Sequence, residues 1–135
     1  MAPFLGALAV FAIVLIAIWL SNAFQGDRTP EDQRVGRAAV GQNDALQRED
    51  FADFSTYTCA KLRGSETDIL AQQRDSAADR GARFVDDVTD VKIDGNRATA
   101  TVTYHFDKAP DDKTPVPMTF VREDGAWKVC STGPS

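Results

Sequence analysis

The side chains with the strongest intrinsic chemistry are few: two cysteines, one histidine and two tyrosines, set among 20 acidic and 15 basic residues. Cys59 lies in "YTCAKL" and Cys130 in "WKVCS". They are too far apart for a Cys-x-x-Cys redox motif, and a zinc site would need two more ligands where only one histidine exists. A disulfide between them would close a long loop and contribute about 4 kcal/mol by the chain-entropy model. Two independent buried thiols are the alternative, with metal binding or catalysis the remainder. The bridge is carried forward, and it implies an oxidising compartment.

His105 is the one candidate general base by residue type. It shares a strand face with Thr99, Thr101 and Thr103, which makes it a solvent-facing strand residue. Tyr57 and Tyr104 can project into a pocket, although Tyr104 reads first as core with its hydroxyl satisfied at an edge. Asp86, Asp87 and Asp90 stand where they reach a rim, and together with Asp94-Gly95-Asn96 they suggest a calcium loop. Their spacing departs from that motif and the closing glutamate is missing, so they read as surface turn acids. Asp111-Asp112-Lys113 reads as an exposed loop tip. None of these residues forms a recognisable dyad. No catalytic residue, metal or cofactor is therefore assigned, and the chain is expected not to be an enzyme.

The elements that position these residues follow from local pattern. Thr29-Pro30-Glu31-Asp32 predicts a helix start with Thr29 as cap, running with Val35, Ala38, Ala39, Gln42 and Leu46 on one stripe to about Arg48. Asp50 caps a second helix over "FADFSTYTCAKLR", ended by Gly64, with Cys59 on the shoulder of its buried stripe. Ser65 or Thr67 caps a third, thinly amphipathic segment stopped by Gly81. The period then changes to two. Phe84 to Ile93 is a strand with an irregular middle, followed by a hairpin turn at Asp94-Gly95-Asn96. Arg97 to Phe106 alternates, with Ala98, Ala100, Val102, Tyr104 and Phe106 on one face. A Pro- and Asp-rich loop from Asp107 to Pro115 leads to a strand from Val116 to Arg122. After a turn at Asp124-Gly125, Trp127 to Ser131 closes the chain. Strict alternation places Cys130 with Lys128, opposite Trp127 and Val129. That leaves open whether Lys128 shares the helix-covered face or the strand loses its alternation by Cys130. Helices followed by an antiparallel meander predict an α+β domain.

Residues 3–20, "PFLGALAVFAIVLIAIWL", carry no charge. As a helix of about 27 Å this run just spans a bilayer core. It is read as a single-pass anchor over residues 1–24. The competing reading is a signal peptide cleaved after Ala23, for which Ser21-Asn22-Ala23 supplies small residues. A linker at 25–29 and one domain at 30–135 follow. Arg28, Arg34 and Arg37 flank the span only on its far side, which by a literal positive-inside count keeps the domain in the cytoplasm. The cysteines argue the opposite and are given more weight. The net charge of −5 argues against a nucleic-acid partner and against a domain lying flat on anionic lipid.

The strings "ALQREDFADFSTYTC" and "DGAWKVC", in this order of elements, resemble the nuclear-transport-factor-2-like (cystatin-like cone) superfamily. More narrowly they resemble its small actinobacterial membrane-anchored members, the lumazine-binding-like and mammalian-cell-entry-associated membrane proteins. The resemblance covers roughly Val35 to Ser131. It implies about three helices on a curved antiparallel sheet of about four strands, outside the cytoplasm, with a cysteine pair often at these places. The superfamily's enzymes use Asp, His or Tyr inside the cone, but fold alone supplies no activity. The expected function is a membrane-anchored, extracytoplasmic, non-enzymatic accessory domain of an envelope or membrane complex, with a membrane protein as partner. The alternative is a carrier of a small apolar ligand or lipid, in a pocket lined by Phe51, Phe54, Val102, Tyr104, Phe106, Met118 and Phe120. An isomerase- or hydratase-like enzyme is a third and weaker reading.

Overall fold

The structure is a computed structural model describing residues 29–135. The expected anchor, its cleavage site and nearly all of the linker lie outside the described residues. No helix among those described is long and apolar enough to cross a membrane.

Among the described residues three helices precede four strands: α1 (Glu31–Gln47), α2 (Phe51–Thr56), a single 3-10 turn (Ala60–Leu62), α3 (Glu66–Arg80), then β1 (Arg83–Asp94), β2 (Arg97–Phe106), β3 (Ala109–Glu123) and β4 (Ala126–Val129). The strands form one antiparallel sheet in sequence order. The alternation of β2 decides its orientation: Ala98, Ala100, Val102, Tyr104 and Phe106 are all buried, and the intervening threonines face outward. Val35, Ala38 and Ala39 of α1 pack on that face with Met118, Phe120, Trp127 and Val129.

β1 shows why its middle looked irregular. Register shifts fall between Val85 and Asp87 and between Thr89 and Lys92. Each bulge inserts a residue and re-aims the next, so Val85, Val88 and Val91 reach the core at a spacing of three rather than two. The hairpin at Gly95-Asn96 and the turn at Asp124-Gly125 form as expected, with positive φ at Gly95, Asp124 and Gly125.

Four expectations are corrected. α1 begins after Pro30, which takes the cap position without a capping side-chain hydrogen bond, so Thr29 is not the cap. The second helix ends at Thr56 and Cys59 is extended at φ −61°, ψ 151°, so Cys59 is not helical. The supposed loop from Asp107 to Pro115 is the first half of β3, which follows β2 through a two-residue turn. The last strand ends at Val129 rather than Ser131.

The early end of α2 has a clear cause. Tyr57 to Cys59 leaves the helix to lie beside β4: the Cys59 amide donates to the Val129 carbonyl at 2.9 Å, and the Val129 amide donates to the Tyr57 carbonyl at 2.8 Å. Thr58 and Val129 are paired in parallel. Edge pairing thus outweighs the local helical pattern.

Prolines in β3 are tolerated because of where they point. The Thr119 amide donates to Ser131 Oγ and its carbonyl accepts from the Cys130 amide, both away from β2. Pro115 and Pro117 share that parity, beyond the end of the short β4, where a missing N–H breaks no ladder bond.

Candidate functional site

Between the helices and the start of β1 lies a cavity of about 160 Å³. Gln42 and Leu46 of α1, Phe54 and Thr58, Leu62 and one face of α3 (Ile69, Gln72, Gln73, Ser76) wall it, and residues 131–135 line it from the other side. Arg83 lines it from the first position of β1 and is its one ionisable side chain among the described residues.

Arg83 is only 8% exposed and is held at several atoms. Its amide donates to Gln47 Oε1 at 3.0 Å, and its carbonyl accepts from Asn43 Nδ2 at 3.0 Å. Nε donates to Asn43 Oδ1 at 2.7 Å and Nη1 to the Pro134 carbonyl at 2.6 Å. The guanidinium lies 4.7 Å from the centre of the Tyr104 ring. Every one of these partners is neutral, and no carboxylate pairs with Arg83 among the described residues. Burial pushes the guanidinium pKa down and the Tyr104 hydroxyl pKa up.

The cover of this cavity is held unevenly. α3 is capped by Ser65, whose hydroxyl accepts from the Asp68 amide at 3.2 Å, and is ended by Gly81, yet none of its residues is fully buried. The segment after β4 is pinned by Arg83 to Pro134 and by Arg80 Nη1 to the Ser135 carbonyl at 3.2 Å. Gly133 passes so close that a Cβ there would stand 3.1 Å from Arg83 Nη1.

The residues anticipated for the pocket fall in two places. Phe54 lines the cavity, and Phe51 stands 5.9 Å from it, ring centre to ring centre. Val102, Tyr104, Met118 and Phe120 belong to the packed core, and Phe106 is buried under the Arg80 guanidinium, 3.7 Å from the ring centre. Tyr57 instead packs on Gly41 of α1, where an added Cβ would meet its ring at 2.5 Å.

Cys59 and Cys130 form a disulfide with Cα atoms 5.2 Å apart. The parallel pairing of Thr58 with Val129 sets their successors side by side. The bond thus closes a contact that the backbone already makes. Trp127 and Val129 face the core, and the buried Lys128 reaches the Thr56 carbonyl at the end of α2, where the helix dipole favours a cation.

His105 and Asp86 do meet, but on the outer sheet face away from the cavity. His105 Nδ1 lies 2.8 Å from Asp86 Oδ2, its ring stacks on Phe84 at 4.9 Å, and Lys113 Nζ is 3.2 Å from Asp86. These contacts, the histidine hydrogen bond first, hold the Asp86 carboxyl below its usual range. No group of His, Cys, Asp and Glu among the described residues is arranged to hold a metal ion.

The sequence profile of the family described as "Low molecular weight antigen MTB12, C-terminal domain" matches residues 60–132, more than half of the chain. No curated protein sequence matches significantly. Among solved structures, a function-unknown protein from Mycobacterium tuberculosis is similar at 12% identity, covering 77% of this chain and 73% of its own, with a TM-score of 0.49. A candidate NTF2-like transpeptidase from Campylobacter jejuni is similar at 18% identity, covering 70% and 94%, with a TM-score of 0.49. A candidate dehydratase of the NTF2-like family from Streptomyces avermitilis gives 18% identity, 72% and 88%, and 0.45.

Proposed function

Starting from the fact that the chain belongs to the MTB12 C-terminal-domain family, with the helix-on-sheet architecture expected of a nuclear-transport-factor-2-like protein, we propose that it is a membrane-tethered, extracytoplasmic, non-enzymatic module serving an envelope complex. The observation that carries this reading is the Cys59–Cys130 bond. Disulfides persist in oxidising compartments, so a domain built around one belongs outside the cytoplasm. The uncharged run at residues 3–20 supplies the tether. A link of a few residues keeps the domain within a few tens of Å of the bilayer, at about 3.3–3.6 Å per extended residue.

Thiol labelling of intact cells tests the compartment. After denaturation, label is expected only when reductant has been added. Labelling of Cys59 or Cys130 without reductant overturns both the bond and the location. Crosslinking in native membranes tests the partner, and recovery of no specific protein removes the accessory role.

A second reading, a small-ligand carrier, is favoured by the cavity under α3. Its size argues against a long lipid chain. Its single ionisable side chain among the described residues is a buried arginine, which suits binding better than proton transfer, since a guanidinium stays protonated.

A further inference from the structure

We propose that the cavity is a site for a small monocarboxylate, of the size of one aromatic ring or a short aliphatic chain, with Arg83 as the group that takes the carboxylate. This rests on the carrier reading and names its ligand class.

The argument begins with the cost of the arginine. A buried cation held only by neutral acceptors is expensive, because dipoles offset its lost hydration incompletely. A chain selected for stability alone would place an apolar side chain at the start of β1. Instead α1 spends three amide hydrogen bonds on fixing Arg83: Gln47 on its amide, Asn43 on its carbonyl and on Nε. The guanidinium is thereby oriented before any ligand arrives. The Pro134 carbonyl on Nη1 is the one partner that belongs to a segment without regular secondary structure. A neutral carbonyl is a weak match for a guanidinium. A carboxylate makes shorter, charge-assisted bonds and can span two nitrogens, so it displaces that carbonyl on favourable terms.

The remaining walls define the ligand body. Leu46, Phe54, Leu62 and Ile69 give an apolar lining, and Gln42 and Gln73 are polar without charge. Lined by such groups, a cavity near 150 Å³ accepts a single benzene ring, and this one is about 160 Å³. The cavity is partly open to solvent, and α3, with no fully buried residue to extract, can yield where entry needs more room.

Sodium benzoate and its neutral isostere benzamide are the probes, titrated into the full 135-residue chain with the side-chain amide resonances of Gln42 and Gln73, which line the cavity, followed by NMR in every variant. Saturable benzoate binding is expected, at least tenfold tighter than benzamide. Arg83→Met is expected to weaken benzoate at least tenfold, to the level of benzamide. Ile69→Trp, which fills the cavity from α3 and leaves Arg83 in place, is expected to lose both probes. Equal affinity for the two probes overturns the carboxylate assignment and leaves the carrier reading standing, as does benzoate binding unchanged in Arg83→Met. Silence from both probes overturns the carrier reading with it. If Arg83→Met does not fold, the benzoate-to-benzamide ratio in the unmodified chain, with its loss in Ile69→Trp, decides alone.

Discussion

Glu31 accepts from Trp127 Nε1 at 2.6 Å and from Arg122 Nη2 at 2.7 Å, so one carboxylate ties the start of α1 to the last hairpin. The Trp127 hydrogen bond, with Arg122 and Arg34 adding to it, holds the Glu31 carboxyl below the usual carboxylate range. A carboxyl depressed in the folded state stabilises fully above its unfolded pKa, and that contribution is lost as pH falls through the folded pKa. Acid titration below pH 4.5 is therefore expected to change Trp127 fluorescence and lower the unfolding midpoint. Glu31→Gln keeps an acceptor for the indole but cannot titrate, so its midpoint should depend less on pH over the same range. A slope equal to that of the unmodified chain would remove Glu31 from this role. Arg83 belongs to the same scale and shows what sequence reading misses. Started at Phe84, the strand hides it; extended by one residue, alternation puts Arg83 with Val85 on the face of Tyr104 and Phe106. A charge in a core-facing register position is the signal that would have found the cavity.

At the scale of elements, positions with one physical solution were legible and positions settled by distant pairing were not. The β2 stripe, the turns at Gly95 and Gly125, the Asp50 and Ser65 caps and the stop at Gly81 each follow from local chemistry. Gly81 sits at φ 81°, ψ −174°, a region essentially closed to other residues, and its Cβ would meet Asp107 Cβ at 3.0 Å. Gly81→Ala is accordingly expected to cost about 1–3 kcal/mol, read from the urea midpoint. Two elements escaped for the opposite reason. Tyr57 to Cys59 carries a helical pattern but is claimed by the free edge of β4, far along the chain, where Thr58 pairs with Val129. Residues 109–115 look like a loop because of their prolines and acids, which are tolerated only because that half of β3 is an edge. The disulfide acts on the first of these. It locks an edge pairing that two backbone hydrogen bonds already make, so it mainly restricts the unfolded chain. With a sequence separation of 71, the Cys59→Ala/Cys130→Ala double variant should lose about 4 kcal/mol. Near-equal urea midpoints for the two proteins would contradict that.

Across the whole molecule, stability is distributed unevenly, and the uneven part coincides with the cavity. α1, β2, β3 and β4 share the central core, whereas α3 contributes no fully buried residue to it. α3 is held by its cap, by an exposed ion pair from Arg74 to Glu49, by Lys108 Nζ on the Ala78 carbonyl, and by Arg80, which lies over the Phe106 ring and donates to the Ser135 carbonyl. Exposed pairs of this kind are worth about 0.2–1 kcal/mol, so local opening of α3 needs far less free energy than global unfolding. Native-state hydrogen exchange should therefore find α3 amides exchanging well before those of β2 and the core face of α1. Residues 131–135 should exchange with α3 rather than with β4, since their contacts to Arg80 and Arg83 span the same cavity. Adding benzoate should slow both segments together, because a ligand under the cover stabilises only the closed form. If α3 exchanges with the core instead, α3 is not the part of the cavity wall that opens.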